Sequence, residues 1–265
     1  MLSVIAVVAA FALLYLFLLL PRLPRRDIAA LRGHDYAHRG LWDASAPENS
    51  LPAFRRAAEA GFGIELDVHL TADRQLVVFH DDTLTRMCGD PRAVSACTLS
   101  ELRRLRLAGS QETIPTLDEV LSAVAGRVPL IVELKSDGDI EALAAMTRER
   151  MRRYGGPWCM ESFDPRAVRW FRRHAPEIIR GQLAFGRGTR KRTAVNVLVG
   201  TLLQNVLGRP DFIAYEAETD RTLAMAAMRL VRPTLVCWTI RSQAQMDAQR
   251  GRYDLQIFEG FVPKR

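Results

Sequence analysis

"GFGIELDVHLTADRQLVVFHDD", residues 61–82, decides the reading of this chain. It opens as a strand that belongs in a core, and the run "LVVFHD" returns as a short hairpin. Residues i and i+2 of a strand share a face, so Glu65 and Asp67 project together, while His80 and Asp81 close the returning run. Two carboxylates on one face of a core strand call for a reason other than packing.

Strand-like and helix-like segments alternate on either side of this stretch. Strand patterns fall at Tyr36–Gly40, Gly63–Leu70, Pro129–Lys135, Trp158–Phe163, Ile178–Phe185, Phe212–Glu218, Thr234–Ile240 and Leu255–Phe261. Helical patterns lie between them: an Ala-rich one from Leu51, "TLSELRRLRL" at 98–107, one from Leu117, Ile140–Arg153 and Pro165–His174. Alternating β and α segments argue for a parallel sheet, and eight strands in about 230 residues match a (β/α)8 TIM barrel. A doubly wound open sheet is the other candidate, but no GxGxxG loop follows the first strand.

The 265 residues are 48% hydrophobic and 25% charged, which suits one domain with a core and excludes general disorder. A net charge of +7 makes the surface basic, yet no nucleic-acid motif accompanies it. An anionic membrane or a phosphate-bearing substrate fits the charge better, and no nucleic-acid partner is expected. Leu2–Leu20 is apolar apart from Ser3 and Tyr15. No basic residue precedes the run and no small-x-small site comes after it, which favours a retained transmembrane anchor over a signal peptide. Arg22, Arg25, Arg26 and Arg32 come directly after the run. By the positive-inside rule they place the rest of a single-pass membrane protein in the cytoplasm. The expected division is an anchor over 1–20, a basic linker over 21–35 and a barrel over 36–265. Cys159 and Cys237 read as free buried thiols, and Cys88 with Cys97 as a pair that an oxidising compartment would allow.

In a TIM barrel the C-terminal strand ends converge on one mouth. His38 and Arg39 end the first strand pattern, Glu65 and Asp67 lie on the second, and Glu133 and Lys135 end the third, with His80 leaving the hairpin. Three carboxylates converging without compensation would repel one another and raise their pKa values. A hard divalent cation, Mg2+ or Ca2+, resolves the conflict, because both ions prefer oxygen ligands.

The same residues carry a family resemblance. "AHRG" (37–40), "PENS" (47–50), "ELDVHLTADRQLVVFHDDTLTR" (65–86), "IPTLDEVL" (114–121) and "VELK" (132–135) stand in the order seen in the glycerophosphodiester phosphodiesterases, with looser matches at "SFDP" and "CWTI". The resemblance implies a barrel with a small insertion at about 82–115. It implies a metal site of Glu65, Asp67 and Glu133, an acid/base pair of His38 and His80, and Arg39 and Lys135 on the substrate phosphate. The activity implied is metal-dependent hydrolysis of a glycerophosphodiester to an alcohol and glycerol 3-phosphate. The alternatives are lysophospholipase D-type cleavage of a membrane lysophospholipid, or a non-catalytic lipid-phosphate binding protein; binding alone does not need both imidazoles. Asn49 reads as lining the mouth or fixing the loop, with a plain turn or helix N-cap role for Asn49 or Ser50 as the alternative. Two departures stand near the C-terminus: Arg241 replaces the Asn of a W-T-V-N pattern, and "FEGFVP" replaces a Thr-Asp-Pro exit. The stretch 187–208, basic and then apolar, reads as a barrel helix packing Val197, Leu198, Leu202 and Leu203, with a membrane-facing amphipathic helix as its rival. His34, His69 and His174 take no role in the motif, although His69 shares the face of Glu65 and Asp67.

Overall fold

A computed structural model describes residues 2–186 and 194–264. Nine strands run β1 Tyr36–His38, β2 Gly63–Leu70, β3 Leu76–Val78, β4 Leu130–Leu134, β5 Trp158–Ser162, β6 Arg180–Ala184, β7 Phe212–Glu216, β8 Thr234–Ile240 and β9 Leu255–Phe258. They are ordered β1-β9-β8-β7-β6-β5-β4-β2-β3, and a further pairing of β1 with β2 closes the ring. Every pairing is parallel except that of β3, which lies antiparallel on β2 as the expected hairpin. The eight parallel strands with their outer helices form a (β/α)8 barrel, and each of the eight strand patterns in the sequence supplies one of them.

Alternation along each strand divides the side chains into two shells. Outward residues such as Ile64, Leu66, Val68, Val132 and Met160 pack with Phe54, Val120, Leu143 and Phe171 of the surrounding helices. Inward residues form a separate cluster of Tyr36, Ile131, Cys159, Leu183, Phe212, Val236 and Ile257. Ile28 and Leu31, ahead of the first strand, join that inner cluster, and the Tyr36 hydroxyl donates to Leu31 O at 2.7 Å. One end of the barrel is therefore an apolar plug. Its two largest aromatics fit because glycine stands beside them: a Cβ on Gly63 would lie 2.6 Å from the Tyr36 ring, and one on Gly181 2.2 Å from that of Phe212.

The segment between β3 and β4 has its own small core of Val77, Phe79, Leu84, Val94, Cys97, Leu102, Leu107 and Ile114. The helix expected from "TLSELRRLRL" is shorter than its pattern, Leu99–Leu102, with Thr98 and Glu101 forming a capping box. Beyond it the chain turns, with Ala108 in the left-handed region, and Leu107 is buried in the small core. Cys88 and Cys97 are free thiols, as are Cys159 and Cys237.

The N-terminal reading is overturned. Among the described residues no helix is long and apolar enough to cross a membrane. The helix Leu2–Leu19 has 18 residues, about 27 Å at ~1.5 Å per residue, short of the ~30 Å hydrocarbon layer. Part of that length also belongs to the barrel. Leu19 is fully buried, Tyr15 and Leu16 pack against the outer shell, and Asn205 Nδ2 donates to Leu19 O at 2.9 Å. Arg209 Nη1 reaches Phe17 O and Leu20 O at 2.7 and 2.8 Å. Without a span, the arginines after it fix no orientation, so the single-pass, cytoplasm-facing placement falls with it. Arg22 instead pairs with Asp211 at 3.6 Å, and Arg26 donates to the Pro176 and Glu177 carbonyls.

The basic start of the 187–208 stretch, residues 187–193, lies outside the described residues. The remainder of the stretch forms a helix Ala194–Thr201 and a short one Asn205–Gly208. Leu202 is buried and Leu203 partly so, but Val197 and Leu198 are exposed, so half of the expected packing set is engaged.

Gly181→Ala tests the plug. Overpacking of a filled core costs about 1–3 kcal/mol, so Tm should fall, and adding Phe212→Leu should recover part of the loss. An unchanged Tm in Gly181→Ala would show that the Phe212 ring is not held against this strand.

Candidate active site

The inward residues change character toward the C-terminal strand ends. In register, Asp67 of β2 faces Glu133 of β4, and Glu133 faces Glu161 of β5. Glu65 lies two residues before Asp67 on the same face, and Lys135 two after Glu133. Carboxylate oxygens of Glu65, Asp67 and Glu133 come within 4.8 Å of one another, and all three residues are buried. Glu65 and Glu133 line a cavity of about 640 Å³ together with His38, Arg39, His80, Lys135, Glu161 and Trp238. All seven site residues expected from the sequence therefore belong to one locale.

Fixed donors hold all three carboxylates. Lys135 Nζ lies 2.8 Å from both Asp67 Oδ1 and Glu133 Oε1. Asn49, with φ near 55°, directs Nδ2 to Asp67 Oδ2 at 2.8 Å, while Ser50 caps the helix Leu51–Glu59. "PENS" thus serves both of its candidate roles. The Arg39 backbone N–H donates to Glu65 Oε2 at 3.1 Å, and its guanidinium meets Glu48 at 2.8 Å.

The electrostatics separate the groups. Burial, with Asp67 and Glu133 beside it, pushes the Glu65 carboxyl well above its usual range. Burial likewise lifts Glu133, up to about 7, against the opposing pull of Lys135. Burial would lift Asp67 too, but Lys135, His80 and Arg39 together hold it well below the usual range. Glu161, absent from the residues expected of the site, is buried and pushed well upward by burial and by Glu133. Its one signal in the sequence is its place in the inward alternation of "WCMES". The donor set is three hard oxygens around one point, with a surplus of negative charge. It fits a magnesium or calcium ion and has no soft ligand to favour zinc or copper.

Both histidines present one ring nitrogen to a carboxylate. His80 Nδ1 lies 2.6 Å from Asp81 Oδ1, Arg86 Nε donates to Asp81 Oδ2 at 2.7 Å, and Arg86 continues to Glu48. His38 Nδ1 lies 2.6 Å from Glu259 Oε2, and its Nε2 stands 3.9 Å from Glu65 Oε2. A carboxylate only accepts, so the proton sits on Nδ1 of each neutral ring and leaves Nε2 with its lone pair. Burial lowers the pKa of His38, and that of His80 to about 4. Glu48, Arg86 and Glu259 are absent from the expected set: Glu48 and Glu259 meet partners far away in sequence, while Arg86 closes the 65–86 motif beside its partner Asp81. His69 is fully buried and bonds Asp137 at 2.8 Å, and neither lines the cavity; His34 meets Gly61 O and His174 the Trp170 carbonyl.

Comparisons with known proteins agree with this geometry. A Bacillus subtilis relative, YhdW, is 36% identical over 152 residues, covering 54% of this chain and 62% of that one. The glycerophosphodiester phosphodiesterase of Caldanaerobacter subterraneus is 43% identical over 110 residues, 38% of this chain and 44% of the relative. The chain thus spans about half the length of the curated relatives it matches. Among solved structures, an Oleispira antarctica phosphodiesterase in complex with the product sn-glycerol-3-phosphate superposes with a TM-score of 0.72. It is 24% identical, and the match covers 87% of this chain and 94% of that one. A Thermotoga maritima glycerophosphodiester phosphodiesterase gives 0.66 at 25% identity, covering 85% and 94%. A family model described as the glycerophosphoryl diester phosphodiesterase family matches residues 38–252, most of the barrel, and to that family this chain belongs.

Proposed function

We propose that the chain hydrolyses glycerophosphodiesters to an alcohol and glycerol 3-phosphate in a divalent-cation-dependent reaction, and that residues 36–265 are the catalytic unit. The observation that supports this most is the meeting of two carboxylate-held imidazoles with the Glu65–Asp67–Glu133 cluster in one cavity. A phosphodiester is an anion that repels nucleophiles, so its charge must be offset before attack. Glu65, Asp67 and Glu133 would hold Mg2+ or Ca2+, which when bound polarises a phosphoryl oxygen. Arg39 and Lys135 supply fixed positive charge beside the phosphate. With Nδ1 protonated, one of His38 and His80 enters neutral and takes the proton of the attacking hydroxyl at Nε2. The other enters as the imidazolium, having taken a proton at Nε2 from solvent, and gives that proton to the leaving alkoxide. A substrate whose glycerol side carries an acyl chain, as in a lysophospholipid that loses its headgroup alcohol, has one observation in its favour. An apolar groove bordered by Leu41, Phe258 and Phe261 shares Trp42 and Glu259 with the catalytic cavity. Offering the purified full chain both substrate types separates the two readings; failure to cleave either would refute both.

The cation is expected to be essential. Chelation and Glu65→Gln should each abolish turnover, with Glu65→Gln still folded by circular dichroism; full activity in either case refutes the assignment. Its affinity should also depend on pH. Glu133, pushed up to about 7, and Glu65, also raised, must lose their protons before they ligate. Below pH 7 the proton stays and competes, so affinity falls roughly tenfold per pH unit for each proton displaced. The rise in Tm on adding the cation should therefore be larger at about pH 8 than at about pH 5.5, and an equal rise at both would contradict these shifts.

His38→Ala and His80→Ala should each lower turnover by about 10²-fold or more, the scale of a lost general acid or base. Binding of a non-cleaved phosphodiester analogue should persist, because Arg39 and Lys135 remain. Near-normal turnover in both variants would leave these rings a structural role only.

A further inference from the structure

We infer that Glu259 is the positioning residue for His38 and that Arg241 holds Glu259 in place, so that the chain's two C-terminal departures from its family's pattern form one device. The inference rests on the proposed role of His38 in the reaction and deepens it.

The sheet itself sets up the contact. β1 and β9 pair with Tyr36 opposite Ile257 and Ala37 opposite Phe258, so one further step brings His38 beside Glu259. The Glu259 backbone N–H donates to Ile240 O at 2.9 Å, which ties this residue to the end of β8. Both of its carboxylate oxygens are taken. Oε2 lies 2.6 Å from His38 Nδ1, and Oε1 accepts from Arg241 Nε at 2.9 Å. A carboxylate anchored at both oxygens and at its backbone fixes the plane of the imidazole as well as its tautomer. Nε2 is left facing the cavity.

The two links differ in strength for a stated reason. The side chains of His38 and Glu259 are 13% and 16% exposed, whereas that of Arg241 is 56% exposed. Water screens the outer link more than the inner one. Burial opposes charge on Glu259, yet His38, Arg241 and Arg39 hold its carboxyl down to about 2, so it remains an anion at any working pH. His80 is held in the same way by Asp81 and Arg86, but there all three residues lie within one short stretch. At His38 the same chain of imidazole, carboxylate and guanidinium is assembled from three strand ends. An Asn at position 241 would offer no charge to the Glu259 carboxylate, whereas Arg241 Nε donates to its Oε1 at 2.9 Å.

The test is steady-state kinetics on a glycerophosphodiester with the full chain, with proton NMR of the His38 ring as an independent readout. Glu259→Ala should lower kcat roughly 10- to 100-fold, the scale for removing a carboxylate that orients a functional imidazole, with KM unchanged. Glu259→Gln retains an acceptor oxygen and the side chain's shape. It should recover part of the loss, and it serves as the test if the Ala variant does not fold. Arg241→Ala should cost a few-fold in the parent chain and nothing further in Glu259→Ala. The downfield Nδ1–H resonance, identified by its loss in His38→Ala, should vanish in folded Glu259→Ala. A raised KM with unchanged kcat, additive losses in the double variant, or survival of the resonance would each overturn the inference. A parent chain that shows the resonance but cleaves no glycerophosphodiester refutes the proposed function and leaves the contact itself established.

Discussion

Everything at the mouth depends on one electrostatic conflict, the placing of Glu65, Asp67, Glu133 and Glu161 on adjacent inward positions of three neighbouring strands. Two unit charges about 4.8 Å apart repel by about 3–4 kcal/mol at an effective dielectric constant of 20. The protein divides that cost unequally. Asp67 stays ionised because Lys135, Arg39 and Asn49 all address it, whereas Glu65, Glu133 and Glu161 are pushed toward their neutral forms. A site with one fixed anion and several carboxyls poised to lose protons is prepared for a divalent cation and poorly satisfied without one. Strand register brings these four residues together, and Lys135, with Arg39 and Asn49 from the first loop, then meets the buried charge.

The two imidazoles show a second economy. Each has Nδ1 held by a carboxylate that an arginine backs, which directs Nε2 away from that carboxylate. At His80 the partner is the next residue, so a short motif carries the whole arrangement. Glu48 then joins Arg86 to Arg39, linking the two halves of the mouth through a residue of the first loop. That loop is therefore more than a connection: Glu48, Asn49 and Ser50 serve an arginine pair, the Asp67 carboxylate and a helix cap in three consecutive positions.

Legibility in the sequence tracks the range of the interactions concerned. Strands are readable because inward and outward shells impose a period of two, and Glu65 and Asp67 break that period where a core should not. Residues in contiguous motifs, His38, Arg39, His80 and Lys135, are readable for the same local reason. Glu161 lies in an equally clear alternation, but only register with Glu133 reveals that it shares the acidic row. Glu259 and Arg241 can be seen as departures, not as partners, since 18 positions separate them and the contact needs three strand ends. The N-terminal helix misleads because apolarity reports that a surface wants cover and does not say what covers it. Leu19 is covered by the barrel and Tyr15 and Leu16 pack against it, which takes length from any span, while Val4, Val8, Phe11 and Leu13 stay exposed.

The same logic explains why the barrel's two ends can be so unlike. At the plug, Tyr36 and Phe212 sit against Gly63 and Gly181, and apolar contact with the outer helices continues around the ring. Cores of this kind commonly gain about 1.5–3 kcal/mol per fully buried large side chain, and none of that gain depends on the state of the mouth. Stability gathered at one end lets the other retain four buried carboxyls and two half-buried imidazoles that a uniformly packed interior would expel. The inward row of each strand passes from one regime to the other within two or three residues, from Ile131 to Glu133 and from Cys159 to Glu161. The strand that fixes a reactive group thus begins in the packing that stabilises it, which is how a chain of this size holds a charged site rigidly.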